Sequence, residues 1–277
     1  MIHLALCRAL CLATVLCGWA GVCSGQEVAK PAAPAEFKIF GAQILPGVED
    51  FGWTPDQTPA DFLDRIGRKI KARWRQHYRA QPVVPSNERH RTALLLGSVL
   101  AEGFLALQAT DAQQFRNANQ DVTAFCRALG LGEKLTPRLM SQGKLAETEN
   151  WADLRQEVVD GHQEIGRLLK EQMDADLVVL IDIGLWLRLL QVVSAIVVDG
   201  GEPALYPLCI GSKSLVADML ARYRLLTKTT IEEHRVSVLG QSLEAMQKAW
   251  SGDEEVSKER VIWTHEKLDA IQERLNR

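Results

Sequence analysis

The sequence predicts an all-α chain: an irregular, mostly antiparallel bundle of about eight to ten helices, preceded by a signal peptide and a tether. Three observations carry this. From Thr58 onward, apolar residues recur at helical spacing in one segment after another. Most of these segments open on a capping residue, a capping box or a proline in the first turn. The most β-branched run, residues 177–198, has no second run of its kind to pair with, and an isolated strand leaves its backbone groups unsatisfied.

Residues 1–25 read as a secretory leader. Arg8 supplies the positive start, residues 9–22 are apolar, and Cys23-Ser24-Gly25 puts small residues before a cut at Gln26. The expected location is periplasmic or secreted. A retained N-terminal anchor is the alternative. Four of the six cysteines, Cys7, Cys11, Cys17 and Cys23, belong to the leader, which leaves Cys126 and Cys209. In an oxidising compartment these two form a candidate disulfide, contributing about 4 kcal/mol through so long a loop. Two separate buried thiols are the other reading.

Residues 26–57 are rich in Pro, Ala and Gly and read as a tether. Within them FKIFGAQIL is apolar enough to dock on the domain that follows. The helical domain is expected over 58–277. Thr58 caps its first helix, Pro59 is the first helical residue, and Phe62, Ile66, Ile70, Trp74 and Tyr78 form one stripe, which predicts a helix up to Pro82. Ser86 opens a second helix through about Ala109, holding ALLLGSVLAEGFLAL. Thr110 and Gln113 make a capping box for a third, which buries Phe115, Val122, Phe125, Cys126 and Leu129 and stops at Gly130. Thr136-Pro137 starts a short helix. Asn150 starts a longer one that buries Trp151, Leu154, Val158, Ile165, Leu168 and Met173.

Residues 177–198 decide the class. Fifteen of them are Leu, Ile or Val. Their insertion into a bilayer would gain about 6 or 7 kcal/mol, but Arg188 and Asp182 would each cost about 3. The sum is marginal for a span. As a core helix the run makes better sense: Gly184, Arg188, Gln191 and Ala195 share one narrow face, and the rest is apolar nearly all round. Its expected neighbour is the helix through 93–107, where Gly97 and Ala101 permit close approach. Gly200-Gly201-Glu202-Pro203 ends it. Ser212 or Ser214 then caps a helix to about Leu226. Thr230 and Glu233 open another, with Ile231, Val238, Leu239, Leu243, Met246 and Trp250. The last helix carries Val261, Leu268 and Leu275.

No metal, haem or phosphate-loop pattern occurs after the leader, so no cofactor is expected. Ser141-Gln142-Gly143-Lys144 is a literal SxxK, and Lys228-Thr229-Thr230 is close to KTG. Together they resemble the serine penicillin-recognising enzymes, but the element between them and the required sheet are missing. The formal net charge of −3 argues against general nucleic-acid binding. Arg65, Arg68, Lys69, Lys71 and Arg75 lie on a basic amphipathic segment. It is either a membrane-surface or acidic-polymer contact, or a bundle helix whose basic side chains snorkel around a buried stripe.

Glu102, Asp182, Arg188 and Gln191 interrupt the two most apolar helices. They are the candidate ligand-binding residues, with Glu102 the expected partner of Arg188, since a buried charge needs one. The leading expectation is an exported, non-enzymatic interaction or scaffold module of the cell envelope, with a protein or envelope component as partner. The alternative is a small-ligand or lipid binder with a polar pocket near Glu102 and Arg188. Protein lacking residues 1–25 is expected to be recovered without detergent. Retention in membranes through an alkaline wash would contradict the core-helix reading.

Overall fold

A computed structural model describes residues 57–80, 83–200, 206, 211–251 and 257–277 of the chain. The leader, most of the tether and Cys209 lie outside the described residues. At the centre stands α6 (Ala175–Gly200), the longest helix and the most apolar. It is flanked by α2 (Arg89–Gln108), α10 (Lys258–Asn276), α5 (Trp151–Glu171) and α7 (Gly211–Tyr223). The remaining helices are α1 (Pro59–Lys69), α3 (Ala112–Ala128), α4 (Gly132–Glu147), α8 (Lys228–Glu232) and α9 (His234–Ala249). Among the described residues there is no strand.

The α2–α6 contact is the closest in the bundle. A Cβ on Gly97 would stand 1.9 Å from the carbonyl oxygen of Ile181, and one on Gly184 would stand 2.1 Å from that of Leu94. Backbone therefore meets backbone, which only glycine permits at both positions. Both helices are long and apolar enough to cross a membrane, yet 89% and 83% of their most apolar stretches are buried within the bundle.

Paired residues give the helix directions. Arg89 meets Asp174, Glu102 meets Arg188, and Gly97 lies against Ile181 between them, so α2 and α6 run parallel. The other resolved pairs are antiparallel. Gln191 and Ser194 of α6 face Asp269 and His265 of α10 in reverse order. His162 and Gly166 of α5 face Asp182 and Val178 of α6. The expected antiparallel bundle therefore has a parallel pair at its core.

Several elements depart from their sequence-based bounds. The first helix does start on the Thr58 cap, with Thr58 Oγ1 accepting from the Asp61 amide at 3.1 Å. It ends at Lys69 rather than Pro82. Ile70–Arg73 are non-helical and Trp74–His77 form one 3₁₀ turn. Trp74 is still buried, so the stripe survives while the helix does not. Asp111, not Thr110, caps α3, and Thr110 takes φ +48°. Gly130 stops α3 at φ +80°, with the Leu131 amide donating to the Cys126 carbonyl at 2.8 Å, as in a Schellman motif. Helix α4 begins at Gly132, ahead of Thr136-Pro137, and holds Pro137 inside. Met173 lies beyond α5 and is 90% exposed. Glu233, in an extended conformation, splits the helix expected from Thr230 into α8 and α9.

The close approach generates a stability prediction. Gly97→Ala and Gly184→Ala each force the backbones apart, and each is expected to cost about 3 kcal/mol, the upper end of overpacking penalties. Urea melts with unchanged slopes check this. A loss below about 1 kcal/mol in both would mean the helices do not touch.

Candidate functional site

Arg188 lies near the middle of α6 and is 8% exposed. A buried guanidinium is a charge taken out of water, so its burial requires partners on every side. Nε donates to Glu102 Oε1 at 2.7 Å, Nη1 donates to Gln191 Oε1 at 2.7 Å, and Nη2 donates to the His77 carbonyl at 2.5 Å. The expected Glu102–Arg188 pair is thus formed, between the two core helices. The second oxygen of Glu102 accepts the backbone amide of Arg79 at 3.2 Å.

These bonds explain why α1 stops early. In a continuous helix the His77 carbonyl and the Arg79 amide would bond within the helix. Released from it, they meet the buried guanidinium and the buried carboxylate. Residues 70–80 therefore act as a strap whose backbone completes the ion pair.

The strap also brings in the Arg79 side chain. Its Nη2 donates to Ser98 Oγ, and Ser98 Oγ donates to Gln272 Oε1 at 3.2 Å. Ser98 is fully buried and Gln272 is 5% exposed. On the other flank, Gln191 Nε2 donates to Asp269 Oδ1 at 2.5 Å, and Asp269 Oδ2 lies 3.4 Å from His265 Nε2.

These groups border an open pocket of about 330 Å³ between the strap, α6 and α10, lined chiefly by Arg79, Arg188, Gln191, His265, Asp269 and Gln272. A second cavity of about 190 Å³, lined by Glu102, Asn117 and Asp121 among others, lies against Arg79 as well. Burial pulls the Arg79 pKa down from its ordinary value and pushes that of Asp121 up. Burial also holds the His77 pKa down, against the pull of Asp199.

Of the four ligand-binding candidates, Glu102, Arg188 and Gln191 converge. Asp182 does not: it faces His162 at 3.1 Å and Arg222 at 3.4 Å. Six residues separate it from Arg188, about 240° around the helix. The basic residues do not form one helical face either. Arg68, Lys71 and Arg75 are exposed, Arg65 donates to Gln57 Oε1 at 3.3 Å, and Arg75 lies 3.3 Å from Asp111. The side chain of Lys69 is outside the described part. Cys126 is a free, fully buried thiol, its pKa pushed up to about 12 by desolvation. Cys209, its expected disulfide partner, is not among the described residues.

Sequence reasoning missed Arg79, Ser98, Gln272, His265 and Asp269. Gln272 did carry a signal: it falls between Leu268 and Leu275 on the buried face of α10, where a polar residue is out of place. Arg79 carried none, since it reads as the last residue of a basic helix. Among the described residues, no three His, Cys, Asp or Glu side chains gather as metal ligands do. Ser194, His265 and Asp269 stand in a row, with Ser194 Oγ 3.2 Å from His265 Nδ1. They do not make a nucleophile, because Ser194 is fully buried and gives its proton to the Gln191 carbonyl at 2.8 Å. Comparison of the chain with protein-family models, curated proteins and solved structures gave no match.

Removing one partner of a buried pair typically costs about 3 to 5 kcal/mol. Arg188→Met is expected to lose that much. It should also free the strap, so that trypsin cuts faster between Lys71 and Arg79. Adding Glu102→Gln should restore part of the stability. Strictly additive losses in the double-mutant cycle would mean that the two residues are uncoupled.

Proposed function

We propose that this chain is an exported, non-catalytic binding protein that takes a small polar ligand in the pocket between the strap, α6 and α10. Export rests on the leader read in residues 1–25. One observation carries the binding reading. The pocket is lined by a network of hydrogen-bonded polar side chains, and three of its lining residues, Tyr78, Arg79 and Gln272, each hold a buried polar atom with no partner among the described residues, Oη, Nη1 and Nε2. Buried polar atoms are almost always partnered, so unpartnered ones on residues that line a polar pocket support a binding role for it. A volume of about 330 Å³ suits a small molecule.

The reading as an envelope scaffold draws less support. Among the described residues the large apolar side chains that are exposed, Val84, Met140, Met173 and Leu225, lie far apart in sequence on separate segments. The burial of α2 and α6 supports reading them as core helices rather than as membrane spans.

The test is a pocket-filling variant. Ala195 lines the pocket and is only partly buried, so Ala195→Phe can project into the pocket without disturbing the core. Ligand-observed NMR against a library of small polar metabolites should give hits with the unaltered protein, and the variant should lose them. Hits that persist unchanged in Ala195→Phe would sink the proposal.

A further inference from the structure

We propose that residues 70–80 form an acid-sensitive strap: a proton on the His77 ring weakens the strap's hold on α2 and α6 and raises the fraction of molecules in which it stands open. The device needs no ligand in the pocket and does not rest on the binding reading above.

The first argument is geometry. His77 closes the 3₁₀ turn, and its carbonyl accepts from Arg188 Nη2 at 2.5 Å, which ties its backbone to a buried guanidinium. Its side chain is half-buried and lines the pocket between α6 and α10. A protonated imidazole carries two N–H donors, and each needs an acceptor. Among the described residues neither ring nitrogen of His77 has a hydrogen-bond partner. The other described histidines are placed differently. His90, His162 and His265 lie 2.6, 3.1 and 3.4 Å from the carboxylates of Glu233, Asp182 and Asp269, and His234 is exposed. Those four have a counter-charge or water to receive a proton's charge. Among the described histidines, His77 alone is partly withdrawn from water with no carboxylate bonded to it.

The second argument is the sum of charges around the ring. Tyr78 and Arg79 follow it in the strap, Arg188 and Asp199 stand on α6, and His265, Asp269 and Glu273 stand on α10. Glu102 of α2 is taken up by Arg188 and the Arg79 amide. Asp269 bonds Gln191 and faces His265, and Glu273 lies 3.4 Å from Arg277. Arg188 and His265 oppose a charge on the ring, and Asp199 favours one. Loss of water on burial outweighs the pull of Asp199, so the His77 pKa lies below its ordinary 6.5. In a released strap, water surrounds the ring and the ordinary value returns. The released form therefore binds the proton more tightly. The docked strap keeps its full advantage above pH 6.5 and loses it as the pH falls through 6.5 toward the lower docked value. The strap is held by two backbone bonds, by Arg79 Nη2 on Ser98 and by the burial of Trp74. Weakening one of these holds shifts a local opening equilibrium and leaves the bundle folded.

The experiment is NMR on the full chain. The Arg79 amide, which Glu102 accepts at 3.2 Å, is freed when the strap leaves, so its hydrogen exchange reports opening. After correction for the intrinsic rate, its protection should fall about threefold or more between about pH 8 and about pH 5.5. The amide of Leu187, in the core of α6, should keep its protection. In His77→Gln, which does not titrate, the Arg79 response should vanish. The ring signal of His77 in the unaltered protein should titrate below 6.5, a readout that depends on no variant folding. A ring that titrates at or above 6.5 would overturn the proposal, as would Arg79 protection that stays flat. So would an equal loss at Leu187, which would mean that the whole bundle loosens. A response that persists in His77→Gln would assign the effect to another group, such as His265 or Asp121, and would also overturn it.

Discussion

The backbones of α2 and α6 touch at Gly97 and Gly184, and the rest of the molecule is arranged around that contact. Two apolar helices held this close leave no room for side chains along the seam. Any long polar side chain nearby must leave the seam sideways. Glu102 and Arg188, past the glycine contact on both helices, do so together and bond to each other at 2.7 Å, with the pocket on the Arg188 side of that bond.

A buried ion pair is a poor source of net stability, since removing two charges from water costs about as much as their attraction returns. Its role here is positional. By demanding a carbonyl and an amide from outside the core, it holds residues 70–80 out of α-helical form and against the sides of α2 and α6. The strap then carries Arg79 inward. A continuous α1 would have kept its own backbone bonds, and the apolar stripe through Ile70, Trp74 and Tyr78 shows that the local sequence was compatible with one. Tertiary demand overrode local preference.

That conflict explains which parts of the molecule were legible beforehand. The helical class, the central place of residues 177–198 and its neighbour at 93–107 follow from apolar spacing and small residues, which are local properties. So does the Glu102–Arg188 pair, since two charges inside the two most apolar helices have few other partners. The early end of α1 was not legible, because its cause lies at residues 102 and 188. Asp182 was grouped with Arg188 by proximity in sequence, though six residues turn it to another side. The Glu233 break was hidden because Thr230 and Glu233 have the spacing of a capping box, and nothing local distinguishes a box from a junction. Gln272 was legible and overlooked: the heptad of Leu268 and Leu275 drew attention to the leucines and away from the amide between them.

The parallel direction of α2 and α6 bears on how the chain comes together. Parallel neighbours cannot be joined by a tight turn, so residues 109–174 must intervene before the central contact can close. Those residues form α3, α4 and α5, which pair in sequence as antiparallel neighbours over short separations. Local pairings of this kind form early and cheaply, whereas a contact across so long a loop bears the full entropy of closure. The innermost seam of the protein is therefore among the last parts to assemble. Until it does, two very apolar helices stand apart with their faces uncovered, the condition in which a folding chain is most prone to associate with its own copies.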